Sequence, residues 1–152
     1  MQILVVSDSH SNIEALDTLS NMYPNLDLYL HAGDSEEDEF SIMPFRSVRG
    51  NCDYFSTYQE SLIIPTPYGK LYMQHRPILS LDKLKKDDIK IFIHGHTHIR
   101  RDEEVDGIRI LNPGAISFAR DGHYLSYMIL DIKKDKIKVE FKTLENKSVL
   151  KK

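Results

Sequence analysis

The sequence predicts an α/β fold in which helices lie outside two stacked β-sheets. Residues 2–6 and 89–93 are apolar runs that lead directly into polar loops, as central parallel strands do. The first two thirds of the chain are mainly alternating strand-like and helix-like segments, whereas the last third contains strand pairs around hairpin turns. The 152 residues fit a single domain, 1–152, with an ordinary core.

Ten short segments have the composition and length of strands. Most are bounded by glycine, proline, asparagine or aspartate, which are the residues that turns favour. The predicted strands are 2–6, 26–30, 45–49, 62–66, 70–73, 89–93, 100–105, 108–111, 124–131 and 137–144.

Three helices are predicted between these strands. Each begins at a serine that can cap a helix, namely Ser11, Ser35 and Ser80. The first helix has Glu14 at capping-box spacing and ends before Pro24. The second is a short helix whose first turn contains the acidic residues 36–39, and the third runs to Lys86.

Composition excludes several classes of protein. No apolar run approaches the roughly 18 residues that a membrane helix needs. A net charge of −3 gives no electrostatic reason to expect nucleic-acid binding, and the lysines at 83–90 and 133–152 are interpreted as solvated surface. Cys52 is the single cysteine, which fits a cytoplasmic protein without an intrachain disulfide. An exposed hairpin edge would allow a homo-oligomer to form.

Five short groups of metal-binding residue types each follow a strand-like run. They are Asp8-Ser9-His10, Gly33-Asp34, Gly50-Asn51-Cys52-Asp53, His75 and Gly95-His96-Thr97-His98. In an open α/β sheet, residues at the carboxyl ends of strands lie at the edge where such folds build their sites. Packing does not explain this pattern well, whereas two divalent metal ions do.

The chemistry of the candidate ligands indicates the class of metal. Asp8 and His10 are two residues apart, so on an extended segment both would point to the same side. The carboxylate of Asp34 has two oxygens and can bridge two cations. Oxygen and imidazole ligands without a thiolate suit manganese first, with nickel, zinc or iron as alternatives. Gly33, Gly50 and Gly95 precede ligands and are predicted to permit close backbone approach.

The ordered set of motifs resembles the calcineurin-like metallophosphoesterase family. Its small bacterial and archaeal phosphodiesterases of the YfcE type are similar to this chain in length and in the Gly-Asn-Cys-Asp motif. The resemblance implies a four-layer, two-sheet β-sandwich flanked by helices, with a hydroxide that bridges two metals and attacks phosphorus. It assigns Asp8, His10, Asp34 and His98 to the first metal, and Asp34, Asn51, His75 and His96 to the second.

Several further residues have weaker assignments. Cys52 stands where many family members have a histidine thought to protonate the leaving group, so we expect aryl esters to be hydrolysed more easily than alkyl esters. Arg120 is interpreted first as a surface arginine and, as an alternative, as a residue that binds a phosphate oxygen of the substrate. His31 and His94 are interpreted as packed residues or as residues that orient a ligand. His123 is interpreted as a loop residue.

These features predict a phosphoesterase that depends on two divalent metals and acts on a small phosphodiester or other phosphoester. Asn51 would help to stabilise the charge that develops during attack. One alternative is a catalytically inactive protein-binding scaffold of the same fold, as in the retromer subunit Vps29, which resembles this family. A second alternative is a metallohydrolase that cleaves another bond, such as an amide.

Overall fold

The computed structural model of the protein describes residues 1–54, 56–117 and 125–144. Within these residues, ten strands form two five-stranded sheets accompanied by two helices. The strands are β1 (Gln2–Val6), β2 (Leu28–His31), β3 (Arg46–Ser47), β4 (Ser61–Thr66), β5 (Gly69–Gln74), β6 (Ile89–Ile93), β7 (Arg101–Val105), β8 (Ile108–Asn112), β9 (Ser126–Ile132) and β10 (Ile137–Thr143). The helices are α1 (Ile13–Met22) and α2 (Leu81–Lys86).

Both sheets have parallel strands at their centre. The first sheet has the order β10-β9-β1-β2-β3, in which β1, β2 and β3 are parallel and β9 and β10 are antiparallel to their neighbours. The second has the order β4-β5-β6-β8-β7, with β5, β6 and β8 parallel. Parallel neighbours end at the same edge of their sheet, so the loops that follow them meet there.

Alternating side chains along each central strand create the layers. Ile3 and Val5 of β1 face inward and belong to one buried cluster with Ile91 and Ile93 of β6, so the two sheets pack face to face. On the outer side of the first sheet, β1 packs against the apolar face of α1. On the outer side of the second sheet, Leu84 of α2 packs in a third cluster. The expected four-layer arrangement of two sheets between helices is therefore confirmed.

Two of the helix predictions need correction. Helix α1 is capped by Asn12, whose side-chain oxygen accepts the backbone N–H of Ala15 at 3.3 Å. Ser11 was the wrong capping residue, because its φ of 66° places it in the left-handed region before the helix begins. The caps of α2 agree with prediction, since Ser80 accepts a hydrogen bond from the backbone of Lys83.

The predicted short helix after Ser35 is wrong. Residues 35–44 form bends and turns and contain no helix. Glu36 has a φ of 58°, and its N–H is bound by the Asp53 carboxylate at 2.8 Å instead of remaining available for a helix start. The Asp38 carboxylate accepts the N–H of Ser41, which closes a local turn in the same segment. Long-range contact with the loop after β3 therefore outweighs local helix preference.

The two predicted short strands of the first sheet also have different bounds. Strand β2 begins and ends later than predicted, and β3 contains two residues in place of five. Strand β3 pairs with β2 through two residue pairs, Leu30 with Arg46 and His31 with Ser47. Among the described residues, neither helix is long or apolar enough to cross a membrane.

Candidate metal centre

The loops at the carboxyl ends of five strands bring the seven predicted ligands together. Four of these loops follow β1, β2, β3 and β6, and the fifth begins directly after β5. The seven residues are Asp8, His10, Asp34, Asn51, His75, His96 and His98. Contacts among their side chains divide them into two adjoining groups, built around Asp8 and around His75.

The first group is centred on the buried carboxylate of Asp8. Its Oδ1 atom lies 3.2 Å from Nε2 of His98 and 3.9 Å from Nε2 of His10. The other oxygen, Oδ2, is fixed by the Ser7 hydroxyl at 2.6 Å and by the N–H of His96 at 3.1 Å. Oδ1 itself accepts no hydrogen bond from any described residue although it is buried. An oxygen held in this way is suited to binding a cation.

The second group is centred on Nε2 of His75. This nitrogen lies 2.9 Å from Oδ1 of Asn51, 3.2 Å from Oδ2 of Asp34 and 3.3 Å from Nδ1 of His96. Nδ1 of His96 is in turn 3.1 Å from Oδ1 of Asn51. Four potential ligand atoms from four different loops therefore surround one small volume.

Asp34 lies between the two groups. Ligand atoms of Asp34, Asp8 and His75 all lie within 4.8 Å of one another, and those of Asp34 and His10 belong to a further set with the same spacing. Oδ1 of Asp34 accepts the N–H of Cys52 at 2.8 Å, which fixes the orientation of the carboxylate. This position would allow Asp34 to bind a cation in each group.

Hydrogen bonds on the far side of two imidazoles determine which nitrogen faces the centre. Nδ1 of His75 lies 2.8 Å from the carbonyl oxygen of Ala32, which can only accept, so Nδ1 carries a proton and, in the neutral ring, Nε2 presents a lone pair. Nδ1 of His10 faces the Glu36 carboxylate at 3.0 Å in the same manner. Histidines that bind metals are usually oriented by such carbonyl or carboxylate partners.

The electrostatics of the centre favour positive charge. Burial alone would raise the pKa of Asp34, but His75 and the N–H of Cys52 lower it to about 2. Burial likewise opposes a lowered pKa at Asp8, yet His98 and His75 hold the pKa of Asp8 below its usual value. For His75, burial acts to lower the pKa, and the carboxylates of Asp34 and Asp8 raise it overall. Both acids are therefore ionised at neutral pH.

The donor set fits divalent cations. Nε2 of His75, Oδ1 of Asn51 and Oδ2 of Asp34 are all acceptors when His75 is neutral, and acceptors this close repel one another unless a positive charge lies between them. Carboxylate, amide and imidazole groups suit manganese, iron, nickel or zinc. Cys52 lies within 4.8 Å of Asp34 and His10. Burial and the nearby Asp34 and Glu36 raise the pKa of its thiol to about 11, so a thiolate ligand is disfavoured.

The backbone of this centre is unusual. Five of the seven candidate ligands have positive φ: Asp8 at 54°, His10 at 44°, Asp34 at 65°, His96 at 72° and His98 at 60°. Non-glycine residues seldom adopt this region, and such strain is concentrated at functional sites. The expectation that Asp8 and His10 converge on an extended segment is wrong in its geometry. They reach the same place from left-handed conformations.

Glycines allow the loops to approach one another, as predicted. A side chain on Gly50 would overlap the carboxylate and backbone of Asp34, and one on Gly95 would overlap the Ser7 hydroxyl. A Cβ atom on Gly33, which has a φ of 104°, would lie 2.6 Å from Nδ1 of His75. Each of these positions therefore excludes a larger residue because a loop of the metal centre occupies the space.

Asp53 is an important residue that the sequence analysis did not select. Its buried carboxylate accepts the N–H groups of Asp34 at 2.9 Å, Gly50 at 2.7 Å and Glu36 at 2.8 Å. It thereby joins the loop after β2 to the loop after β3. The signal was present, since Asp53 is the last residue of the Gly-Asn-Cys-Asp motif. Glu36, interpreted as part of a helix start, is instead the partner of His10.

His31 and His94, two further histidines named from the sequence, are packed residues. His31 is fully buried; its Nδ1 accepts the N–H of Gly33 at 3.0 Å, and its Nε2 lies 2.9 Å from the Ser9 hydroxyl. Burial lowers the pKa of His31 to about 4. His94 is also buried, and its Nε2 lies 3.1 Å from the Arg101 guanidinium. Arg120 and His123 lie outside the described residues.

Comparison with known proteins identifies relatives over most of the chain. Residues 1–135 match the model of the calcineurin-like phosphoesterase superfamily domain. The probable metallophosphoesterase YsnB of Bacillus subtilis (strain 168) is 28% identical over 152 residues, covering 93% of this chain and 90% of YsnB.

Solved structures share the fold. A conserved uncharacterized protein and predicted phosphoesterase from Streptococcus pneumoniae TIGR4 has a TM-score of 0.83 and 27% identity, covering 93% of this chain and 88% of that protein. YfcE, a phosphoesterase from E. coli, has a TM-score of 0.69 at 18% identity, with 95% and 100% covered. A Vps29 mutant from Entamoeba histolytica has a TM-score of 0.69 at 22% identity, with the same coverage. The chain therefore belongs to the calcineurin-like phosphoesterase superfamily.

Proposed function

We propose that the protein is a hydrolase of small phosphodiesters that depends on two divalent metal ions. One observation carries the proposal: Oδ2 of Asp34 lies 3.2 Å from His75 in the second ligand group, while the same carboxylate adjoins Asp8 and His10 of the first. A carboxylate shared by two sets of ligands is the arrangement that a pair of neighbouring cations requires. Family membership supports phosphoester hydrolysis as the reaction class.

The residues divide the work of holding the cations as the family resemblance implies. Asp8, His10, Asp34 and His98 would hold one cation, and Asp34, Asn51, His75 and His96 the other. When bound, such cations would supply activation of a water molecule for attack on phosphorus and neutralisation of charge on the phosphoryl oxygens. Manganese is the metal we propose first, with nickel, zinc and iron as alternatives.

The side chains around the proposed cation sites determine which esters the protein can hydrolyse readily. Asn51 is exposed, so its amide can meet a phosphoryl oxygen of an entering substrate. Cys52 is a weak acid because its thiol has a pKa of about 11, and it gives little help to an alkoxide leaving group. We therefore propose that esters with acidic leaving groups are hydrolysed most readily. The single cysteine also supports our proposal of a cytoplasmic location.

Hydrolysis assays with several metals test this function. An aryl phosphodiester, an aryl phosphomonoester, an aryl amide and an aryl thioester should be compared with manganese, nickel, zinc and iron added to chelator-treated protein. We expect the diester to be hydrolysed fastest and manganese to give the highest rate. A preference for the amide or thioester would indicate a metallohydrolase of another class.

The alternative is a protein-binding scaffold of the Vps29 kind. It is favoured by the fold shared with Vps29, and that similarity at 22% identity concerns the fold alone. The gathering of all seven candidate ligands in two adjoining groups argues against it, since a scaffold has no need of strained, polar loops. Protein that binds two metal ions per chain but hydrolyses none of the four substrates would support the scaffold.

A further inference from the structure

A cleft of about 560 Å³ opens beside the second ligand group. Asn51 and His75 form part of its lining, so a substrate bound at the candidate metal centre can extend into the cleft. Arg49 and Arg76 also line the cleft. Arg49 is two residues before Asn51, and Arg76 directly follows His75. Both arginines therefore belong to loops that carry candidate ligands.

Neither arginine is neutralised by the protein. Both side chains are exposed, and neither guanidinium forms a salt bridge or hydrogen bond with another of the described residues. By contrast, Arg101 is paired with Glu103 at 2.6 Å and Arg109 with Asp102 at 2.6 Å. The lining of the cleft includes two arginines against one glutamate, Glu60, in a chain whose net charge is −3.

The turn that carries Arg76 is held in place by the side chain of Gln74, the last residue of β5. The side-chain amide of Gln74 donates hydrogen bonds to the carbonyl oxygens of Arg76 at 2.9 Å and Ile78 at 2.6 Å. The Tyr72 hydroxyl binds the other end of the same Gln74 amide at 3.0 Å. The backbone of Arg76 is therefore fixed to β5, which reduces the entropy lost when its guanidinium binds a ligand.

We propose that this cleft binds a second anionic group of the substrate, so that the preferred phosphodiesters carry a further phosphate or carboxylate beyond the bond that is cleaved. This inference rests on the proposed function. Guanidinium groups bind phosphate and carboxylate in a bidentate manner, and two of them in one cleft select for an anionic tail over a neutral or cationic one. Tyr72 and Ile78 provide apolar surface for the part that links the two anions.

A charge series of diesters with one leaving group tests the inference. The manganese-loaded protein should be assayed with 4-nitrophenyl phosphorylcholine, with thymidine 5′-(4-nitrophenyl phosphate), and with the same thymidine ester phosphorylated at its 3′ hydroxyl. We expect kcat/KM to rise in that order, with about a tenfold gain from the 3′-phosphate that appears in KM and leaves kcat nearly unchanged.

Variants identify the residues responsible. The double variant Arg49→Gln, Arg76→Gln should lose the gain from the 3′-phosphate while hydrolysing the thymidine ester that lacks this phosphate normally. The double variant with lysine at both positions should keep part of the gain, because the positive charge remains but the bidentate pairing is lost. Arg46→Gln is the matched control, since Arg46 is another exposed arginine but does not line this cleft.

A binding measurement separates this inference from the proposed function. Calorimetry of the manganese-loaded protein should show tighter binding of thymidine 3′,5′-bisphosphate than of thymidine 5′-monophosphate, and the glutamine double variant should abolish the difference. Hydrolysis without any charge preference, or a preference that survives in that variant, would overturn the anion cleft and leave the proposed function intact. If the arginines are needed for binding but the protein hydrolyses no ester, the anion cleft stands and the proposed function is overturned. If the protein shows neither arginine-dependent binding nor hydrolysis, both proposals are overturned.

Discussion

Nδ1 of His75 lies 2.8 Å from the carbonyl oxygen of Ala32, and this contact turns the opposite nitrogen of the ring toward Asp34. Ala32 immediately follows β2, and His75 immediately follows β5, so the hydrogen bond also joins the two sheets at the edge where the candidate ligands meet. The position and tautomer of one ligand are therefore set by the backbone. Three further candidate ligands, Asp8, His10 and Asp34, are fixed in similar ways by Ser7, Glu36 and Asp53 respectively.

Replacement of Asp34 by alanine should abolish metal-dependent hydrolysis. The carboxylate serves both ligand groups, so we expect the metal content to fall from two ions per chain to one or none, and turnover to fall by at least about a hundredfold. Metal content by elemental analysis and aryl diester hydrolysis measure the two effects.

Asp17→Ala is the matched control for Asp34→Ala, because Asp17 is an exposed aspartate on α1. The thermal unfolding of the metal-free Asp34 variant should remain cooperative. Asp8 and Asp34 are adjacent buried carboxylates, so the change removes the repulsion between their negative charges. Near-normal turnover in a variant that is folded would show that Asp34 does not bridge.

Replacement of Asp53 by asparagine should weaken the protein as well as the metal centre. The change removes a buried carboxylate that accepts three backbone N–H groups. We expect the free energy of unfolding to fall by roughly 2–3 kcal/mol and metal affinity to fall by about 10–100-fold. Urea denaturation and metal titration measure these losses, with exposed Asp135→Asn as the control. Unchanged metal affinity would mean that Asp53 has no influence on the position of Asp34.

Replacement of Cys52 by histidine should extend the range of leaving groups. The thiol has a pKa raised to about 11 by burial and by the nearby carboxylates of Asp34 and Glu36, so it donates a proton poorly at neutral pH. A histidine is a better acid under these conditions. We expect alkyl phosphodiesters to be hydrolysed about tenfold faster by the variant, and aryl diesters at a similar rate. If the ratio of alkyl to aryl rates does not change, position 52 does not contact the leaving group.

The stability of the metal-free protein should fall between pH 6.5 and pH 4, and His31 should contribute to this fall. Burial lowers the pKa of His31 from 6.5 to about 4, so the unfolded chain takes up a proton on this residue before the folded protein does. Below pH 6.5 protonation therefore favours the unfolded chain, and the cost reaches about 3 kcal/mol near pH 4. Denaturant titrations across this range, on the wild type and on His31→Gln, measure the effect. Equal pH slopes in the two proteins would exclude His31 as the cause.

Much of the fold and of the centre could be predicted because strand order and ligand position are linked. Apolar runs such as 2–6 and 89–93 indicate buried parallel strands, and the residues after them must lie at one edge of a sheet. The layers also followed, since alternate residues of β1 pack against β6 and against α1. These features depend on local periodicity, which the sequence displays directly.

The parts that were missed depend on contacts between distant loops. The segment after Ser35 has a good helix start locally, but Asp53 binds its backbone and holds Glu36 in a left-handed conformation. The same contact gives Asp53 its role, which its position at the end of the Gly-Asn-Cys-Asp motif signals but does not explain. Asn12 replaces Ser11 as the cap of α1 because Ser11 pairs with the backbone of Ser35, across the loops of the centre.

Anomalous scattering from crystals grown with manganese tests the central claim most directly. We predict two manganese peaks about 3.5–4 Å apart, with one oxygen of Asp34 or its two oxygens joining them. The first peak should contact Asp8, His10 and His98, and the second Asn51, His75 and His96. A single peak, or two peaks that do not share Asp34, would contradict the account.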